Sequence, residues 1–235
     1  FHYFKCTHGS KTDARYKFYS DGIAAGYFKC WRCDIESNFC SKQQHEVSTL
    51  EWQTHKERLE ADKHQIEIET QQKQADAATL AETIFENADV EKADGHRHLK
   101  LKQVKNYGLR VITVEDENTK QAHCYKGTLL VPCHNAINEL VNLERIYLDR
   151  QDNKYKKRPL TGAQRKGTYY IIGDPTEQQD TILIAEGYTS AAVAHEATGY
   201  LTAITFSCGN ITNVSTILRE KYPQARLLII ADDDK

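Results

Sequence analysis

The sequence lacks several features that would each indicate a particular class of protein. It contains no methionine, even at position 1, so we expect a fragment of a longer protein. No apolar run approaches the ~18 residues of a membrane span, and no secretory signal opens the chain. The formal net charge is −2, so nucleic acid could be bound only through local basic patches. Seven cysteines, an odd number, indicate a reducing cytoplasmic setting rather than a disulfide framework.

The residue pattern predicts an α/β protein in four segments, with an α+β N-terminal part. Residues 1–47 alternate as a small β-rich module of antiparallel strands would. Residues 48–90 contain no proline or glycine and predict a long helical connector, as one helix or two in series, capped by Ser48 or Thr49. Residues 91–174 predict a mixed basic subdomain. Residues 175–235 alternate strands and helices, which predicts a parallel sheet.

Carboxylates follow two apolar runs that are typical of buried strands. Glu186 follows the run ILIA, and Asp232, Asp233 and Asp234 follow the run LLIIA. Because ligands collect at the carboxyl ends of parallel strands, these acids predict a site for Mg²⁺ or Mn²⁺. Asp232 and Asp234 point the same way on an extended chain, so Asp233 between them is the weaker candidate. Such a site suits nucleotidyl transfer; the alternative is a group of solvated acids.

A basic tract precedes the predicted sheet and is interleaved with Tyr155, Tyr169 and Tyr170. Cations neutralise phosphates and aromatic rings stack on unpaired bases, so the tract could hold a template or a triphosphate. A solvated loop is the alternative for such a run taken alone. His96 and His98 are interpreted as structural groups or phosphate contacts. The candidate binding residues are Lys154, Lys156, Lys157, Arg158, Arg165 and Lys166, with Arg97 and Lys100 in a second patch.

The cysteines near the N-terminus include one Cys-x-x-Cys pair, Cys30 and Cys33. Cys6 and Cys40 could complete a zinc site with four thiolates. A zinc ribbon uses two close pairs, however, and Cys6 and Cys40 are single. The sequence therefore favours reduced thiols over zinc.

The motifs around the acids resemble those of the TOPRIM domain, and more narrowly those of the primases of conjugative plasmids, mobile elements and phages (TraC-type). The resemblance extends upstream to HRHLKLKQVKNYGLRV, GTLLVPCHNAINELVNLERI and KKRPLTGAQRKGTYYIIG. One departure is Ser190, where bacterial replicative primases usually carry an aspartate. The closest motifs are Glu186-Gly187-Tyr188, Ala197-Thr198-Gly199, Gly209-Asn210 and Ala231 to Asp234.

This resemblance implies the catalytic core of a DNA primase, with a TOPRIM-like parallel sheet flanked by helices that breaks off near residue 235. Such an enzyme makes short RNA primers on single-stranded DNA from ribonucleoside triphosphates, and a replicative helicase is a further expected partner. Glu186 would be the acid of the first motif, while Asp232 and Asp234 would bind the metal. Two alternatives remain open: a TOPRIM nuclease that cuts phosphodiesters, and a non-catalytic module that binds single-stranded DNA.

Overall fold

The computed structural model describes residues 2–7, 12–20, 23–30, 33, 35–42, 48–177 and 179–231. The chain divides into two compact units, residues 1–69 and 70–235. The four segments inferred from the sequence stay a prediction. Within the described ranges, no helix is both long and apolar enough to cross a membrane.

The first unit contains the antiparallel meander that the alternating pattern predicts. Its strands are hydrogen-bonded in chain order, β1-β2-β3-β4. Helix α1 begins in this unit as one helix rather than two in series, and Ser48 caps it. The Ser48 Oγ accepts a hydrogen bond from the Glu51 N–H (3.3 Å), and the Glu51 carboxylate accepts one from the Ser48 N–H (3.1 Å). The elements are β1 (His2–Lys5), β2 (Thr12–Tyr19), β3 (Ala25–Cys30), β4 (Ile35–Cys40) and α1 (Thr49–Asn87).

The second unit contains an antiparallel sheet of four strands, ordered β5-β6-β7-β8, with the end of α1 packed on it. Ala77, Ala81 and Ile84 recur at helical spacing and are buried against Leu130 and Leu143 of the sheet. The elements are α2 (Arg97–Lys102), β5 (Arg110–Val111), α3 (Glu117–Gln121), β6 (Leu129–His134), β7 (Leu140–Leu148) and β8 (Tyr155–Pro159).

Strand β8 shows that the middle of the basic tract is not the solvated loop considered as the alternative. Residues 155–159 pair with β7 in antiparallel register, from Leu148 opposite Tyr155 to Glu144 opposite Pro159. The strand was not recognised in the sequence, because a run of lysines and arginines is more typical of a solvent-exposed loop than of a strand in a sheet. The apolar strand β7 supplies the backbone partners that hold β8 extended.

The last sheet of the second unit is mixed, in the order β12-β10-β11-β9. Strand β10 is parallel to both β11 and β12, as the alternation of strands and helices predicts. Strand β9, which the sequence assigns to the preceding segment, pairs antiparallel with β11 instead. Ile182, Ile184 and Leu201 are buried against Val214 and Leu218 of α5. The elements are β9 (Tyr170–Ile172), β10 (Thr181–Ala185), α4 (Tyr188–Thr198), β11 (Leu201–Ile204), α5 (Ile211–Lys221) and β12 (Arg226–Ile230).

Candidate functional site

Glu186 lies in the turn between β10 and α4, where its side chain is exposed. Its carbonyl oxygen accepts a hydrogen bond from the Phe206 N–H (2.9 Å), which ties this turn to the end of β11. The neighbouring strand β12 ends at Ile230, directly opposite Ala185. Asp232, Asp233 and Asp234 lie outside the described residues, so their role in metal binding stays a prediction.

A cavity of about 250 Å³ opens beside Glu186, and side chains of both charges line it. Glu144 enters from β7, Lys157 from β8, and Arg165 from the loop that follows β8. The acid of the last sheet and cations of the basic tract therefore border one cavity. Carboxylate oxygens in a partly enclosed cavity fit a hard divalent cation, and the two cations fit a phosphate.

Glu144 is a member of this cavity that the sequence analysis missed. The residue is only 6% exposed, and its Oε2 has no hydrogen-bond partner among the described residues. Burial raises the pKa of Glu144 to about 7; the Lys157 charge opposes this rise, and the Glu186 charge adds to it. The available signal was the pair Glu144-Arg145, two adjacent charges within a strand whose other residues, apart from Asn142, are apolar or aromatic.

The alternation of β8 sends neighbouring cations of the basic tract in different directions. Lys157 faces the cavity, and its Nζ lies 2.8 Å from where a Cβ on residue 187 would stand, so Gly187 leaves room for it. Lys156 is instead held in ion pairs with Asp149 and with Asp152, the latter at 3.0 Å. The predicted tract is thus not a single patch.

The other predicted cations are distributed around this strand. Arg158 donates from Nε to the Tyr147 hydroxyl (3.1 Å) and lines a separate cavity of about 620 Å³. Arg165 lines both cavities. Lys154 and Lys166 are exposed at the start of β8 and in the loop that follows it.

Asn210 fastens the loop that carries Arg165 to the last sheet. This residue is 5% exposed, and its Nδ2 donates to the carbonyl oxygens of Thr168 (2.8 Å) and Thr205 (2.9 Å). Its Oδ1 accepts a hydrogen bond from the Gly167 N–H (2.8 Å). The Gly-Asn motif therefore positions the basic loop beside the strand ends.

Tyr188, the residue that follows Glu186-Gly187, has a structural role. Its buried hydroxyl donates to the Lys105 carbonyl oxygen (2.8 Å) and accepts from the Tyr107 N–H (2.9 Å), and burial raises its pKa. A buried hydroxyl with both hydrogen bonds made is unsuited to nucleophilic attack.

Two of the tyrosines considered for base stacking are also fixed within the fold. Tyr169 is 4% exposed and accepts a hydrogen bond from Lys221 Nζ (2.6 Å). Tyr170 donates its hydroxyl proton to the Tyr107 carbonyl oxygen (2.5 Å). Their aromatic rings hold segments of the second unit together rather than extending the basic tract.

The second basic patch surrounds helix α2. Arg97 and Lys100 are exposed on it. His96 caps the helix, because its Nδ1 accepts from the His98 N–H (3.2 Å), which agrees with the structural interpretation. His98 is 3% exposed, and burial lowers its pKa to about 4, with the Lys157 charge adding to the effect.

Three of the four N-terminal cysteines converge in the first unit. The sulfur atoms of Cys6, Cys30 and Cys33 all lie within 4.8 Å of one another, and those of Cys6 and Cys33 are 3.3 Å apart. Cys40 does not join them, because it pairs with Ala25 at the opposite end of the β3–β4 register from Cys30. Thiols are good zinc ligands, so this group fits three of the four positions of a tetrahedral site.

A candidate for the fourth zinc ligand was missed in the sequence. His8 stands two residues after Cys6, so Cys-x-His precedes Cys-x-x-Cys and the chain does contain two close pairs. His8 lies outside the described residues, and the signal is therefore one of spacing alone.

Comparison with solved structures finds primases, and the following two have TM-scores below 0.5. The catalytic domain of DnaG primase bound to single-stranded DNA is 10% identical, with a TM-score of 0.48, over 72% of this chain and 63% of that one. The Aquifex aeolicus primase, with zinc-binding and RNA polymerase domains, is 11% identical, with a TM-score of 0.46, over 99% of this chain and 68% of that one.

Comparison of sequences finds a shorter but closer similarity. No protein-family model matches the chain. Two curated proteins from Escherichia coli, both DNA primase TraC, are 32% identical to it over 81 residues, or 34% of this chain. The match spans only 8% and 6% of the length of these relatives. The resemblance to the TraC-type DNA primases that the motifs predicted is thereby confirmed.

Proposed function

We propose that this chain carries the catalytic core of a primase, which joins ribonucleotides into short RNA primers on single-stranded DNA. The observation that carries the proposal is the cavity in which Glu186 lies with Lys157 and Arg165. The similarity to TraC supports the reaction class. A mobile-element setting, a TOPRIM classification, a cytoplasmic location and a partner helicase rest on the sequence resemblance and stay predictions.

In this proposal the acids hold Mg²⁺ or Mn²⁺, and the cations hold the incoming triphosphate. Glu186 is joined by Asp232 and Asp234; the register that sets Ile230 opposite Ala185 supports this grouping. The bound cation would neutralise phosphate charge and lower the pKa of the primer 3′-hydroxyl. Lys157 and Arg165 would orient the phosphates so that the 3′-oxygen attacks the α-phosphorus and pyrophosphate leaves.

The test is primer synthesis by the complete protein on a single-stranded template with labelled ribonucleotides. Glu186→Gln and Lys157→Ala should each lower the rate by about 100-fold, as loss of a charge-stabilising group does. Lys156→Ala is the matched control, because Lys156 is occupied by Asp149 and Asp152. Full activity of Glu186→Gln would refute the site assignment.

The same preparation separates the rival functions. A nuclease would cut labelled DNA when nucleotides are omitted. A non-catalytic module would bind single-stranded DNA in a salt-sensitive manner that ignores Mg²⁺ and survives Glu186→Gln.

We also propose that Cys6, Cys30 and Cys33 bind Zn²⁺, with His8 as the fourth ligand. The convergence of three sulfur atoms supports this. Elemental analysis of protein purified without chelators should give one zinc per chain. Cys33→Ser should lose it, and Cys40→Ser, the matched control, should keep it. A Cys33→Ser variant that retains full zinc would contradict the proposal.

A further inference from the structure

The carboxylate of Glu144 is buried, and the described residues leave one of its oxygens unsatisfied. Its Oε2 is buried without a hydrogen-bond partner in the part of the chain that the structure describes. Leaving a buried acceptor unsatisfied costs about 1–3 kcal/mol, and more for a charged group. A buried acceptor that borders a cavity and binds nothing within the protein points to a ligand that enters that cavity.

Two other polar groups that line this cavity, Asn142 and Cys133, already have partners. The Asn142 side chain donates to the Gln164 carbonyl oxygen (2.9 Å) and accepts from the Leu160 N–H (3.0 Å). The Cys133 thiol donates to the Val131 carbonyl oxygen (3.7 Å). Lys157 and Arg165 line the cavity, yet neither donates a hydrogen bond to Glu144 Oε2. Among the described residues that line the cavity, the buried side-chain atom without a hydrogen bond is therefore an oxygen acceptor.

A cation is the ligand that this arrangement fits. Glu186 borders the same cavity, and its negative charge acts on Glu144. Two carboxylates that face one small space repel each other unless a positive charge lies between them. Oxygen donors from two carboxylates suit Mg²⁺ or Mn²⁺, which complete their shells with water or phosphate oxygens.

We propose that Glu144 and Glu186 together bind one divalent cation in this cavity. The ligands would come from two different sheets of the second unit, β7 in one and the end of β10 in the other. Glu144 thus adds a ligand that lies outside the acids at the strand ends. This site deepens the proposed function, because it would set a metal beside Lys157 and Arg165.

The first experiment measures Mn²⁺ binding alone, by electron paramagnetic resonance of the free ion, without DNA or nucleotide. Glu144→Gln should weaken Mn²⁺ binding at one site by at least about tenfold, as loss of one ligand typically does. The matched control is Glu117→Gln on α3, because the Glu117 side chain is 92% exposed and forms an ion pair with Lys120 at the surface (3.0 Å). Binding by Glu144→Gln equal to that of the wild type would overturn the proposal.

The second experiment locates the ion in the wild-type protein, so it does not depend on a variant that folds. Fe²⁺ replaces Mg²⁺, and ascorbate with peroxide generates hydroxyl radicals that cut the backbone near the ion. Cuts near both residue 144 and residue 186 are expected; cuts near residue 186 alone would refute the shared site.

The outcomes separate this inference from the proposed function. If the wild type makes primers and Glu144→Gln binds Mn²⁺ as tightly as the wild type, the shared metal site is refuted and the proposed function stands. Weaker Mn²⁺ binding by Glu144→Gln, together with a wild-type protein that makes no primers, would keep the metal site and remove the function.

Discussion

Asn210→Ala should destabilise the second unit substantially, although Asn210 is neither one of the acids nor one of the basic residues of the candidate site. The substitution removes three hydrogen bonds, to Gly167, Thr168 and Thr205. At about 1 kcal/mol each, their loss lowers the free energy of unfolding by about 3 kcal/mol. Because small domains are stable by only about 5–15 kcal/mol, that is a large share of the total.

The measurement must report on the second unit. Both tryptophans, Trp31 and Trp52, belong to the first unit, so tryptophan fluorescence would follow the wrong part of the chain. Hydrogen exchange followed by NMR can read the Gly167 amide directly. Exchange of that amide should be at least tenfold faster in Asn210→Ala, since its acceptor is gone.

The control for this prediction is Asn213→Ala on α5, where the side chain is only half-buried. It should change the free energy of unfolding by less than about 0.5 kcal/mol, as most substitutions away from special contacts do. If Asn210→Ala has the same free energy of unfolding as Asn213→Ala and leaves the exchange rate of the Gly167 amide unchanged, the hydrogen bonds of Asn210 do not hold the basic loop in place.

Three further predictions concern the surroundings of the cavity. Gly187→Ala should fold normally, because its φ of −118° suits any residue. The added Cβ would displace Lys157, so the rate of primer synthesis should fall as far as it does in Lys157→Ala. Adding Gly187→Ala to Lys157→Ala should lower the rate no further. Tyr188→Phe removes two hydrogen bonds and should lower the free energy of unfolding, measured with urea, by about 2 kcal/mol. The rate of primer synthesis per folded molecule should stay normal, and a loss of that rate would indicate a chemical role for the hydroxyl. Burial lowers the pKa of His98 to about 4, below the ordinary value near 6.5, so its contribution to stability is present above pH 6.5 and is lost as the pH falls towards 4. In unfolding curves from pH 7 to pH 4, the wild type should therefore lose stability relative to His98→Leu, and a difference that stays constant over this range would contradict the prediction.

The parts of the fold that the sequence predicted are those with a strong local pattern. β10 and β12 are continuous apolar runs, and α1 has an uninterrupted helical composition with a capping box at Ser48 and Glu51. β8 was missed because its strand character comes from pairing with β7, which is not a local property. β9 was expected as a strand but assigned to the preceding segment, because its pairing with β11 is not visible in the local sequence either.

The site was predictable only in part, for a similar reason. Glu186 followed from its position after an apolar run. Glu144 did not, because its burial depends on the approach of two sheets rather than on its neighbours in sequence. The sequence suggested Cys40 as a zinc ligand only because four cysteines lie near the N-terminus. The β3–β4 pairing instead places Cys40 and Cys30 at opposite ends of the two strands.

The alternation of side chains along β8 makes the hairpin before it a sensitive point for insertions and deletions. Removing one residue between Arg150 and Asn153 would leave the composition and charge of the tract almost unchanged. If the pairing with β7 shifted by one position, however, Lys156 or Arg158 would turn towards Glu186 and Lys157 would turn away. Related chains should therefore vary freely in the number of basic residues in this tract, but keep constant the count of residues from the hairpin to the lysine that faces the acids.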